Sequence, residues 1–264
     1  MIVRTPAVAG LFYPDEPDRL RQTVTALLEA APVETLLGPP AAYVVPHAGH
    51  VYSGSTAALA YQRMRLDPPS QVLLLGPAHR VRLRGLALSP ADLFQSPLGE
   101  IRVDDELRER VSGLPQVSTS VEAHAQEHSL EVQLPFLSVI APEATVLPLV
   151  VGSATAAEVA DVIETALGDD PSDTLLLIST DLSHYHPYAE AKAIDQATID
   201  MIGRREQVQH DRACGATPLN GAIEVACRRD WDVSLLGACS SGDTAGDRDR
   251  VVGYATFWMG DGRA

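Results

Sequence analysis

Residues Thr174–His186 read TLLLISTDLSHYH. The run Leu175, Leu176, Leu177, Ile178 is continuously apolar rather than alternating, which predicts a short strand buried on both faces. Polarity then reverses, and Ser179, Thr180, Asp181, Leu182, Ser183, His184, Tyr185 and His186 follow. A core strand therefore delivers a carboxylate and imidazoles to the loop at its C-terminal end. In open α/β sheets that edge is where ligands bind.

The same arrangement recurs upstream. Ala42–Val45 reads as a strand running into Pro46-His47-Ala48-Gly49, and Gln71–Gly76 as one running into Pro77-Ala78-His79. Thr145–Val151 is a further strand, and Leu83–Leu88 a shorter one. Pro97–Val103 suggests a hairpin-like excursion. Apolar residues at helical spacing predict helices over Asp18–Ala31, Gly54–Arg65, Asp104–Val111, Ala154–Leu167, Ala189–Ile202 and Pro218–Arg229. Ser129–Leu137 is also expected to be helical, shortened by Pro135. Trp231–Cys239 and Val251–Trp258 close the chain as a hairpin-like strand pair. Strands alternating with helices predict the α/β class: a layered sandwich whose central sheet is mixed, mostly parallel and flanked by helices. No linker or repeat interrupts it, so residues 1–264 are read as a single domain.

Composition narrows the function classes. A net charge of -15 and a pI of about 4.8 disfavour nucleic acid and anionic membrane surfaces as partners, because phosphate needs clustered Lys and Arg. No run approaches the length of a membrane helix, and the opening MIVRTPAVAG lacks the apolar core of a secretory signal. Cys214, Cys227 and Cys239 are odd in number and lack CxxC spacing, which speaks against a disulfide framework and for a reducing, cytoplasmic setting.

The chemistry candidates sit on the loops after strands. Two imidazoles and a carboxylate on one face of an ion form the arrangement that binds Fe(II) with open positions, and His47, His79 and Asp243 fit it. Asp243 lies in the polar loop Ser240–Arg250. Asp181 and His184 suit acid/base work, although Asp181 equally suits an N-cap and His184 a bond to a backbone carbonyl. His124-Ala-Gln-Glu127-His128 matches H-x-x-E-H, the inverted zinc-protease motif, against the plainer reading of a polar loop entering the next helix. Ser240-Ser241-Gly242-Asp243 lacks a Walker lysine, and no G-x-S-x-G elbow is present.

Seven ordered blocks carry a resemblance: GLFYP at 10–14, PHAGHVYSG at 46–54, GPAH at 76–79, EHSLEVQLPFL at 127–137, STDLSH at 179–184, CGATP at 214–218 and SSGDTAGDRDRVVGYA at 240–255. Together they resemble the Memo family, whose bacterial and archaeal members are called AmmeMemoRadiSam system protein B. The resemblance implies a fold similar to the class III (LigB-type) extradiol dioxygenases, which are non-haem iron enzymes. It places His47, His79 and Asp243 at the metal-ligand positions. A cysteine stands in animal members where Asp243 is read here. His128 and His184 fall at additional active-site histidine positions, with Asp181 beside His184, and Phe12 at an aromatic position lining the pocket. The implied cofactor is a divalent metal, Fe(II) first, with copper or zinc as alternatives. The implied activity is that of a dioxygenase-like or redox protein acting on a small-molecule substrate. Two other readings stand beside it: a non-catalytic phosphopeptide- or protein-binding module that reuses the pocket, and a zinc-dependent hydrolase. Family association also suggests radical-SAM and AMMECR-type partner proteins.

Overall fold

The computed structural model describes residues 1–32, 38–168 and 174–262. In chain order its elements are β1 (Val3–Arg4), α1 (Pro17–Ala30), β2 (Pro40–Val45), α2 (His50–Met64), β3 (Gln71–Pro77), β4 (Leu86–Leu88), β5 (Leu93–Ser96) and β6 (Gly99–Arg102). There follow α3 (Asp105–Ser112), β7 (Val117–Thr119), α4 (Val121–Ala125), α5 (His128–Glu131), α6 (Leu134–Ile140), β8 (Thr145–Val151) and α7 (Ala156–Leu167). The chain ends with β9 (Thr174–Ser179), β10 (His184–His186), α8 (Tyr188–Gly203), α9 (Ala216–Arg228), β11 (Asp232–Ser240) and β12 (Val251–Gly260).

The large sheet has the order β10-β12-β2-β9-β3-β8-β4-β7, with β11 also paired to β12. Strands β2, β9, β3 and β8 run parallel at its centre. All six residues of β9 are buried, as a strand covered on both faces requires. Antiparallel β12 and β4 flank this parallel block, so the sheet is mixed. Strands β1, β5 and β6 form a separate small sheet, in which β5 and β6 make a hairpin; the expected Pro97–Val103 excursion covers its turn and second strand, while the first strand begins earlier, at Leu93.

Helices α1 and α7 are capped and amphipathic. In α1 the Glu16 side chain accepts from the Asp18 and Arg19 N–H groups, Pro17 opens the helix, and Leu20, Val24 and Leu28 are buried. A Thr155/Glu158 capping box opens α7, whose Val159, Val162, Ile163 and Ala166 face inward. Helix α2 packs against α1, β2, β11 and β12, while α9 packs against α7, β3 and β9. The architecture is thus the expected α/β sandwich, a large mixed sheet with flanking helices. Among the described residues no helix is long and apolar enough to cross a membrane.

The one helix expected over Ser129–Leu137 is instead two pieces, α5 and α6, with Val132 and Gln133 between them. Pro135 sits in the first turn of α6, where its missing N–H costs nothing, so it starts a helix rather than shortening one.

Candidate metal centre

Parallel neighbours end at the same edge, and the register makes this explicit. Val45 pairs with Ser179 and Leu75 with Ile178, so β2, β9 and β3 terminate side by side. His47, Asp181 and His79 each follow the end of one of these strands by two residues. The fourth contributor, His128, opens α5, which packs on β3. Gly76 permits that packing: a Cβ there would meet Ser129 Oγ at 2.6 Å. The result is a cluster in which ligand atoms of His47, His79 and His128 all lie within 4.8 Å of one another. Ring centroids are 5.2 Å apart for His47–His79, 5.5 Å for His47–His128 and 4.6 Å for His79–His128.

Hydrogen bonds fix which nitrogen of the His47, His79 and His184 rings faces away from the protein. Ser179 Oγ donates to the Ser129 carbonyl at 2.6 Å, so its oxygen must accept from His47 Nδ1 at 2.9 Å. Gln133 Nε2 donates to the same oxygen at 2.9 Å. His47 Nε2 therefore carries a lone pair. His79 Nδ1 donates to Glu127 Oε1 at 2.9 Å, and its backbone N–H to Glu127 Oε2 at 2.7 Å. His184 Nδ1 donates to the Leu182 carbonyl at 2.8 Å. Each leaves Nε2 as the nitrogen turned away from its partner, the pattern by which a buried partner orients a metal-binding imidazole. His128 Nδ1 lies 3.4 Å from Glu127 Oε1 but is not directed at it, and is a buried nitrogen without a hydrogen-bond partner.

Electrostatics act in the same sense. Burial first, and then repulsion from His79, His128 and His184, holds His47 well below the ordinary imidazole value. Burial and His79 lower His128 to about 4, and burial lowers His184. These rings are neutral at pH 7, the form that binds a metal. Burial raises Glu127, but the His79 contacts and the Ser129 N–H outweigh it and hold the carboxylate at about 2. Asp181 behaves in the opposite way. Burial raises it to about 7, against the N–H groups of His47 and Ala48, the former donating to Oδ1 at 2.7 Å.

A thiol completes the wall. Cys214 Sγ lies 3.3 Å from His47 Nε2 and accepts from the Asp181 N–H at 3.3 Å. Burial and the Asp181 charge push it up to about 12, so the S–H donates to the His47 lone pair. Gly215 brings the Cys214 loop in: a Cβ there would meet the Thr180 side chain at 2.6 Å. Sequence reasoning gave Cys214 no role. The only available signal was its place in the CGATP block, since the partner ring is 167 residues away.

Asp243 does not join this cluster. It ends a 3-10 turn, Ser241–Asp243, between β11 and β12. Its carboxylate accepts from the Ser240 N–H and Oγ, both at 3.0 Å, and from the Tyr188 hydroxyl. Burial alone would raise it; these bonds hold it below the ordinary carboxylate value. It caps a turn, and the metal-capable grouping contains His128 instead. The H-x-x-E-H match also dissolves. His124 is buried, with Nε2 on the Ala87 carbonyl at 2.9 Å, and only His128 of the pair faces the cluster. Phe12 packs against His128 with ring centroids 4.8 Å apart and the rings tilted by 48°. Its segment is tied down by Glu131, which accepts from the Ala7 and Val8 N–H groups at 2.8 and 2.9 Å, from Tyr13 Oη, and from Arg4.

The fold and the sequence both have counterparts. The crystal structure of the uncharacterized protein JW3007 from Escherichia coli K12 superposes with a TM-score of 0.53 at 14% identity, covering 83% of this chain and 99% of that one. A MEMO1 family protein of Aquifex aeolicus is 38% identical over 96% of this chain and 98% of its own length. Another from Sulfolobus acidocaldarius is 33% identical over 98% and 100%. Residues 4–258, spanning every element of the pocket, match the family described as Memo-like protein, and the chain belongs to that family.

Proposed function

We propose that this pocket holds a divalent metal ion, Fe(II), on His47, His79 and His128, and that the protein is a non-haem redox enzyme of dioxygenase-like chemistry. The observation that carries the reading is the imidazole cluster itself: ligand atoms from separate segments within 4.8 Å, with His47 buried, His128 half-buried and His79 at the exposed mouth. The buried, unpartnered His128 nitrogen marks where the packing lacks a partner. Imidazole suits iron, copper and zinc, and Cys214 is placed to become a further ligand once its proton is displaced.

Bound iron would supply one-electron and dioxygen chemistry. The chain's own groups do the rest. His184, neutral and with Nε2 free, accepts a proton from a substrate hydroxyl. Asp181, raised to about 7, holds or returns a proton beside His47 and Cys214. Phe12 shields the His128 side of the pocket from water. Metal analysis of protein purified without oxygen, together with oxygen uptake on small aromatic diols, tests the reading. Iron at one equivalent, lost in His47→Ala, is expected. Stoichiometric metal retained in that variant would overturn the site, and zinc with no oxygen uptake would overturn the chemistry.

A further inference from the structure

The loop that follows His79 reads Arg80-Val81-Arg82-Leu83-Arg84, a concentration of cation in a chain of net charge -15. The part-buried Val81 and Leu83 pack against the core and turn the three arginines outward, where each is exposed. The loop is held firmly, because the Leu83 carbonyl accepts from the Ser153 N–H at 2.8 Å and the Gly85 N–H donates to the Ser153 carbonyl at 2.9 Å. The arginines differ in what they face. Arg84 shares a cleft with Glu158 and helps to lower that carboxylate. Arg80 is near enough to His128 to lower it. Arg82 lines a cleft of about 490 Å³ together with Ala78, Ser153, His210, Cys214 and Thr217. Since Cys214 also touches His47, that cleft's inner wall is a wall of the histidine pocket.

Neither Arg80 nor Arg82 forms an ion pair among the described residues, whereas Arg4, Arg108, Arg110, Arg204, Arg205 and Arg228 each have a carboxylate within reach. Acidic side chains outnumber basic ones 35 to 20 in this protein, so two guanidiniums left unpaired beside a pocket are free to take an anion from solution. Large apolar and aromatic side chains adjoin other residues of the pocket. Leu11, Tyr52 and Tyr185 are large and exposed; Leu11 adjoins Phe12, Tyr185 adjoins His184, and both Phe12 and Tyr52 come within 4 Å of a Cβ built on Gly49. Tyr185 also holds a left-handed φ of 64°, a conformation costly for a tyrosine.

We propose that the ligand of this pocket is a small organic acid: its carboxylate or phosphate is held by Arg80 and Arg82, and its apolar body lies toward the metal cluster. The inference rests on the histidine pocket being the reactive site, but anion capture itself does not need the metal. The cleft volume suits a molecule of that size.

Calorimetric titration of the full-length protein, metal-free and metal-loaded, with benzoate, phenyl phosphate and neutral benzyl alcohol tests it. At least one anion should bind and the alcohol should not. The anion arm that binds tells carboxylate from phosphate. Arg82→Gln and Arg80→Gln should each weaken that binding about tenfold, as loss of a charge-assisted bond predicts, and Arg84→Gln should leave it unchanged. Equal binding of acid and alcohol, undiminished binding to the Arg80→Gln/Arg82→Gln double variant, or no anion binding in either form overturns the proposal. Metal content of the same samples separates the two claims. Anion binding without metal retention refutes the iron reading alone, and metal retention without anion binding refutes this one alone.

Discussion

Glu127→Gln is the sharpest probe of the pocket, because it changes one oxygen for an amide and leaves the shape intact. The buried Glu127 carboxylate accepts from the His79 N–H at 2.7 Å, from His79 Nδ1–H at 2.9 Å and from the Ser129 N–H at 2.9 Å. The first bond goes to one oxygen and the other two to the second. A glutamine has a single acceptor oxygen, so either orientation points an NH₂ group at one donor or more. Each bond to a charged acceptor is worth about 1.5–3 kcal/mol, so the variant should lose roughly 2 kcal/mol of stability.

The effect on the metal is larger in kind. If the NH₂ group faces His79 Nδ1, the ring relieves the clash by moving its proton to Nε2. That removes the lone pair a metal needs. Loss of such an orienting carboxylate typically costs about 10–100-fold in metal affinity. Competition against a chelator, with Co(II) or Zn(II) as the probe ion, measures it, and chemical denaturation measures the stability term. An affinity within about threefold of the parent in a folded variant would refute the argument that Glu127 sets the His79 tautomer.

The other expectations concern neighbouring groups. Asp243→Asn should retain full metal stoichiometry, since Asp243 caps its turn, whereas Cys214→Ser should alter affinity or metal preference; metal loss in Asp243→Asn would restore the reading of Asp243 as a ligand. Glu131→Gln leaves Arg4 buried beside a neutral partner and should cost about 3–5 kcal/mol in denaturation midpoint analysis, so a change below about 1 kcal/mol would refute the role given to that ion pair. Burial lowers His124 from 6.5 to about 4, so the unfolded chain binds a proton between these values that the native chain does not. Stability therefore falls as pH drops from 6.5 to 4, by up to roughly 3 kcal/mol from this residue. Asp181, raised to about 7, works in the opposite direction, so the readout is the difference between parent and His124→Gln across that window. Parallel curves for the two would contradict it.

What could be read from the sequence follows from where the information is local. Continuous apolar runs such as Leu175–Ile178 are legible because a parallel strand buried on both faces has no polar face to display. Once such strands are known to be parallel, the residues just past them must share an edge, and His47, His79 and Asp181 follow. SSGD looks like any polar, glycine-bearing loop, and that the Asp243 carboxylate is engaged within its own turn depends on Tyr188 and on backbone geometry. Cys214 was passed over because a single thiol has no spacing signature, and its meaning arises only when the loop after α8 folds back over Thr180.

The stretch that carries most of the site is neither a strand end nor a regular helix. Glu127, His128, Ser129, Glu131 and Gln133 each bind a different part of the molecule. Glu127 holds His79, and Ser129 reaches the Pro77 carbonyl while receiving Ser179. Glu131 gathers the N-terminal segment that bears Phe12. Gln133 donates to the Pro46 carbonyl and Ser179 Oγ, and accepts from Tyr61 Oη. Ser129, Glu131 and Gln133 are fully buried. One continuous amphipathic helix could not do this, because at 100° per residue part of any seven-residue run must face away from the pocket's side. Breaking the helix between α5 and α6 lets polar side chains leave in several directions at once and still meet partners. The strands bring His47 and His79 to one edge; this broken helix, through Glu127 and through Ser129 and Gln133 acting on Ser179, decides which nitrogen of those two rings is left open. Its polar residues should therefore tolerate exchange far less well than the ends of the strands they serve, for a misplaced proton disables a ligand as surely as a missing ring.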